Sequence, residues 1–86
     1  MKTSRILPKT EEIVRTRVLM GKNQADIAAL AGVPAATVSR VERGFDVTAP
    51  TAAGICRALG KEFDDLFTIH RPGGVAAPAE REEVSA

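Results

Sequence analysis

Apolar residues recur three and four positions apart from Ile13 to Phe67, and the pattern breaks at glycines and prolines. That spacing marks helices with one buried stripe. The first predicted helix runs from Lys9 to Met20, after Pro8 and before Gly21. Ile13, Arg17 and Met20 fall on one stripe with Val14 and Val18 beside it, and Glu11 and Glu12 occupy the first turn. Acids there suit the positive end of the helix dipole. A second helix spans Gln24 to Ala31, capped by Asn23 and closed by Gly32. Ile27, Ala28 and Ala31 form its inner face, and the small Ala28 lets another helix approach closely.

The third helix lies within "AGVPAATVSRVERG" and runs from Pro34 to Arg43. Proline suits the first helical position, where a missing N–H costs nothing. Val38 and Val41 point inward and Val33 staples the start, leaving Ala36, Ser39, Arg40 and Arg43 on the outer face. Thr48 caps a fourth helix that tolerates Pro50 in its first turn, buries Ile55, Cys56 and Leu59, and ends at Gly60. A last turn, Asp64 to Phe67, folds Phe63, Leu66 and Phe67 back on the core. From Thr68 the composition shifts to "TIHRPGGVAAPAEREEVSA". Thr68 to His70 is long enough for a short strand but too short to require one. The expected organisation is an N-terminal arm over 1–8, partly flexible; a helical domain over 9–67; and a C-terminal tail over 68–86, flexible or ordered by a partner or a dimer.

Composition supports an all-α fold. A chain of 86 residues fits one small domain. With three Phe and neither Trp nor Tyr, the core must come from Ile, Leu, Val and Ala, which suits helix packing better than a sheet. The single Cys56 cannot form an intramolecular disulfide, so nothing points to an oxidising compartment. No apolar run approaches the roughly 18–20 residues of a membrane span. "MKTSRILPKT" lacks the apolar stretch of a signal peptide, so a cytoplasmic location is expected, with no membrane partner. Net charge is +1, but residues 1–45 carry +4 and residues 46–86 carry −3. Such a split suits an N-terminal half facing a polyanion. Chance plus the acidic Glu80, Glu82 and Glu83 is the alternative.

The second and third helices, joined by a tight glycine-containing turn, make the helix-turn-helix pattern, whose second helix can enter a DNA major groove. That groove is about 12 Å wide and admits one helix. A helix of about ten residues, roughly 15 Å long, fits it. Residues from about Ile13 to Phe67 resemble the Cro/C1-type (Xre) helix-turn-helix domain of phage repressors and bacterial regulators. "NQADIA", "AGVPAATVSRVERG", "ICRALG" and "FDDLF" carry the resemblance, in order and at matching separations, over about two thirds of the chain. It implies a compact five-helix, lambda-repressor-like domain binding operator DNA as a dimer.

The resemblance assigns roles position by position. Gln24 matches a glutamine that donates to a backbone phosphate, and a helix N-terminus with an amide donor is an anion site in its own right. Arg17 and Glu42 match a structural ion pair tying helix one to helix three. Arg40 falls where the family reads a base edge, and arginine can donate two bonds to guanine; a phosphate contact is the alternative. Thr37 and Ser39 reach a base or phosphate only if the helix sits deep. Ala35 and Ala36 stand where polar readers are common, so they leave packing on a thymine methyl. Base-contact candidates are thus Ala35, Ala36, Thr37, Ser39 and Arg40; phosphate-contact candidates are Arg15, Lys22, Asn23, Gln24 and Arg43. Each of these cations has a solvated surface charge as its plainer reading. Phe45 occupies a loop position that is often basic, Leu30 faces solvent, and Glu62 stands where a small cap is usual.

Catalysis is not expected. Cys56 and His70 make neither a nucleophile pair nor a zinc site, which needs three or four ligands. Cys56 suits core packing, and Asp64 and Asp65 suit the start of a helix. No phosphate-loop or dinucleotide motif exists, so no cofactor and no metal are called for. The expected function is a sequence-specific double-stranded DNA-binding transcription regulator, a repressor acting as a homodimer. The alternative is an antitoxin or other protein-interaction module of the same fold, capturing a protein partner through the tail 68–86.

Overall fold

The computed structural model describes residues 4–71. The elements follow in the order β1 (Arg5–Pro8), α1 (Thr10–Leu19), α2 (Gln24–Ala31), α3 (Ala35–Glu42), α4 (Ala49–Leu59), α5 (Phe63–Leu66) and β2 (Phe67–His70). The part of the predicted tail from residue 72 onward, and the partner capture expected of it, lie outside the described residues.

Ile13, Ile27, Val38, Val41, Ile55, Leu66 and Phe67 are the largest side chains of the core, drawn from every helix and from β2. On α1 the buried positions are Ile13 and Thr16, whereas Met20 and Val18, both expected on or beside the inner stripe, are exposed. Met20 is the C-cap, with its N–H still donating to the Thr16 carbonyl at 3.1 Å, and its side chain remains exposed. The final turn is Phe63–Leu66 and not Asp64–Phe67, because Phe67 is already extended and opens β2. Asp65 explains that start: its carboxylate accepts the Glu62 N–H at 3.1 Å and so satisfies a donor at the helix end.

The closest packing is between α2 and α4. Gly54 is buried in α4, and a Cβ placed on it would lie 2.6 Å from the Ala31 carbonyl oxygen. Ala52 and Ala58 are also buried along α4, and Ala28 and Ala31 along α2. Small side chains on both helices thus bring the backbones together and set the tilt of the α2–α3 pair.

The domain is mostly helical but not strictly all-α. β1 and β2 form a two-stranded antiparallel ribbon with Arg5 opposite His70, Ile6 opposite Ile69, Leu7 opposite Thr68 and Pro8 opposite Phe67. The ladder continues one step inward, where the Lys9 N–H donates to the Leu66 carbonyl at 2.7 Å. Alternate residues of a strand bond to opposite sides, so Arg5, Leu7 and Lys9 face β2 while Ile6 and Pro8 face away. Ile6 uses its outward carbonyl to accept the Val47 N–H at 3.0 Å. Pro8, with no N–H to give, stands where the ladder needs none. Each strand is four residues long; neither is compelling alone, and each becomes a strand only because the other lies beside it.

Candidate nucleic-acid interface

The helix-turn-helix geometry is set by Gly32. It closes α2 with φ 75°, a left-handed conformation that glycine adopts without strain, and the Val33 N–H then returns to the Ala28 carbonyl at 3.0 Å. Pro34 follows in extended conformation as the N-cap of α3, one position earlier than the first helical residue expected for it. Its carbonyl accepts from Thr37 and Val38 at 2.9 and 3.4 Å. Val38 and Val41 anchor α3 in the core.

The start of α3 is unusually bare. Pro34 supplies no side-chain cap, and the first turn holds no acid. The first N–H groups of a helix have no partner within it, so the amides of Ala35 and Ala36 stand exposed with the positive end of the dipole behind them. The start of α2 is closed by contrast. Asn23 Oδ1 accepts from the Asp26 N–H at 2.8 Å and Asp26 Oδ2 accepts from the Asn23 N–H at 3.0 Å, a reciprocal capping box.

At its other end α3 finishes in a Schellman turn. The Gly44 N–H donates to the Val41 carbonyl at 3.0 Å and the Phe45 N–H to the Arg40 carbonyl at 3.1 Å, with Gly44 at φ 98°. This turn usually seals itself with a hydrophobic contact between the residue after the glycine and one in the last helical turn. Here those two are Phe45 and Arg40, and the contact is a cation–π stack. The Arg40 guanidinium carbon lies 4.7 Å from the Phe45 ring centroid, and that of Arg43 lies 5.6 Å away. One half-exposed aromatic ring therefore holds two exposed arginines on the outer side of α3.

Glu42 gathers the three helices behind that face. Its Oε2 accepts from Arg17 Nε at 2.6 Å, and its Oε1 accepts from Arg17 Nη2 at 3.0 Å and from Gln24 Nε2 at 2.8 Å. The Arg17 and Glu42 side chains retain only 16% and 6% of their exposure, so the pair is shielded from solvent screening. The hydrogen bond to Glu42 raises the Arg17 pKa further above its usual value, against burial, which lowers it. Arg17 Nη1 also donates to the Lys22 carbonyl at 3.1 Å, fixing the approach to α2. Of the phosphate-contact candidates, Gln24 is the one this network ties directly to α3. Gln24 is half-buried with one amide proton committed to Glu42. Thr37 and Ser39 are half-buried, Ala35 and Ala36 are exposed, and Arg15 lies exposed on α1 one turn after Glu11.

A helix-turn-helix family model matches residues 13–66. The chain belongs to that family, the Cro/C1-type helix-turn-helix. Neither the curated proteins nor the solved structures gave a match. Membership makes this helix-turn-helix chain a DNA-binding regulatory domain. Among the described residues no helix is long and apolar enough to cross a membrane, and no group of three or more His, Cys, Asp or Glu is placed to hold a metal.

Two features of this helix-turn-helix site escape a reading of residue types. The Gln24–Glu42 bond joins residues with no periodic relation. The Phe45 stack was foreshadowed only by Gly44, since a glycine ending a helix marks the next residue as one that folds back.

Proposed function

We propose that this domain is a sequence-specific, double-stranded DNA-binding repressor that places α3 in the major groove and acts as a homodimer. The observation that carries the reading is the outer face of α3, where Arg40 and Arg43 stack on Phe45 beyond an uncapped, acid-free helix start. Arg40 donates to guanine O6 and N7. Arg43, Lys22, Asn23 and Arg15 contact phosphates, joined by Gln24 through its backbone N–H and its remaining amide proton. Ala35 and Ala36 lie close to the bases and pack on thymine methyls, with Thr37 and Ser39 as short-range helpers. Arg17 and Glu42 touch no DNA and hold the reading helix in place.

Sequence selection is sparse in this arrangement, with one long polar reader per protomer. Much of the preference then comes from DNA shape and half-site spacing. Selection of bound duplexes from a random pool, with stoichiometry measured, tests it. The expected site is symmetric, with two protomers and half-sites about 34–36 Å apart. Affinity should fall with salt by a logarithmic slope of about −0.9 per phosphate contacted. Equal affinity for all duplexes, or a flat salt response, would sink the reading.

A further inference from the structure

The major groove offers one apolar group, the C5 methyl of thymine, among donors and acceptors that differ from pair to pair. Cytosine methylated at C5 carries that methyl at the same place and still pairs with guanine. The outward face of α3 suits such a group and little else. Ala35 and Ala36 are exposed and hold nothing beyond a Cβ, and the neighbouring hydroxyls of Thr37 and Ser39 are half-buried. The amides left bare at the helix start point out along its axis, toward a phosphate and not a base edge. A cytosine amino group or an adenine N7 laid on the two alanines would lose its water and gain no partner. A methyl laid there loses nothing and buries apolar surface.

We infer that α3 reads a C5-methylated pyrimidine immediately 5′ of the guanine bound by Arg40, so that cytosine methylation strengthens binding. The inference rests on the proposed function and adds to it a response to a chemical mark on the DNA. Ala36 and Arg40 are four residues apart and so are neighbours on one face of α3. Phe45 covers one side of the Arg40 guanidinium, with its ring centroid 4.7 Å from the guanidinium carbon, and holds the group in place. A guanidinium that donates twice to guanine lies in the plane of that base pair. Its open side then faces the adjacent pair, where the C5 methyl of the 5′ pyrimidine stands. That methyl fits between the guanidinium and the Ala36 side chain. A long polar residue at position 36 would fill the same space and exclude it. Thymine and 5-methylcytosine supply the same methyl, so both are read, whereas cytosine leaves a gap.

The test uses the full chain and fluorescence anisotropy on duplexes built from its preferred site. The guanine is located as the one at which Arg40→Ala abolishes selection. The pyrimidine 5′ of it is then varied in two pairs that differ only by the methyl: cytosine against 5-methylcytosine, and deoxyuridine against thymidine. In each pair the methylated duplex should bind about fourfold more tightly per half-site, the worth of one buried methyl. Ala36→Gln, with its fold verified by an unchanged circular-dichroism melt, should erase the preference in both pairs. Equal binding within either pair, tighter binding of an unmethylated member, or a methyl preference that survives Ala36→Gln overturns the inference. Should that variant fail to fold, the four duplexes on the natural chain decide alone. If the chain prefers some duplexes but ignores the methyl, the DNA reading stands and the methyl reading falls. If it prefers none, both fall.

Discussion

Gln24 Nε2 donates to Glu42 Oε1 at 2.8 Å, the same oxygen that accepts from Arg17 Nη2 at 3.0 Å. One carboxylate thus fastens the start of α2 and the end of α3 to α1. Arg17→Ala leaves that carboxylate shielded and without its cation, and should cost about 3–5 kcal/mol in urea unfolding. Gln24→Ala removes one charge-assisted bond and should cost about 1.5–3 kcal/mol. The paired change Arg17→Met with Glu42→Leu should recover most of the larger loss. A cost for Arg17→Ala below about 1 kcal/mol would reduce the pair to a surface contact.

Gly54→Ala is a second sharp case. Alanine is ordinarily the better helix former by about 1 kcal/mol. At this position its methyl carbon would meet the Ala31 oxygen at 2.6 Å, and that oxygen is backbone and cannot swing aside. The expected result is a net loss of about 1–3 kcal/mol, typical of overpacking. Thermal unfolding followed at 222 nm reads it directly, and a higher melting temperature would contradict the close crossing.

The stack on Phe45 predicts a graded pair of effects on the proposed DNA binding. Arg40→Ala should relax selection at one base pair per half-site, losing about 1–3 kcal/mol of discrimination. Phe45→Ala leaves the guanidinium present but unsupported, and should weaken the preferred site by about 0.5–1 kcal/mol, the worth of an exposed cation–π contact. Arg43→Ala should weaken all duplexes alike and lower the salt slope by about one unit. Anisotropy titrations on preferred and scrambled duplexes separate the three.

Cys56 is half-buried against the core, and burial pushes its thiol pKa up, with the Glu62 and Asp65 carboxylates adding to the effect. An acid with a raised folded pKa keeps its proton when the unfolded chain has lost its own. Stability from this residue is therefore flat below the ordinary thiol value of 9.0 and falls as pH rises through it. Unfolding curves of the protein and of Cys56→Ser should run parallel at neutral pH and diverge above 9.0. Alkylation by iodoacetamide near neutrality should be slow until urea unfolds the chain.

The helices were legible because their limits are local. Asn23, Gly32, Thr48 and Gly60 cap or close them wherever the rest of the chain lies. Errors stayed at the margins, as at Pro34 and Phe67, where a single residue changes from helical to extended. The ribbon was not legible, since "RILP" and "FTIH" become strands through each other. The core was underestimated along α4 for a related reason. Ala52, Gly54 and Ala58 look neutral until a second backbone is known to lie against them. In the candidate site, the bare start of α3 was visible as two alanines, and the ring beneath Arg40 was not.

Because Arg5 lies opposite His70, the described chain enters and leaves the domain at one place. Topologically the fold is a ring with a narrow gap. A short bridge across that gap would let the ring be cut elsewhere, for instance in the exposed turn at Gly21 and Lys22, without separating any packed pair of helices. Loop closure depends only weakly on length, so such a permuted chain keeps the same core. The order of the helices along the gene is, for this domain, a matter of where the ring happens to open.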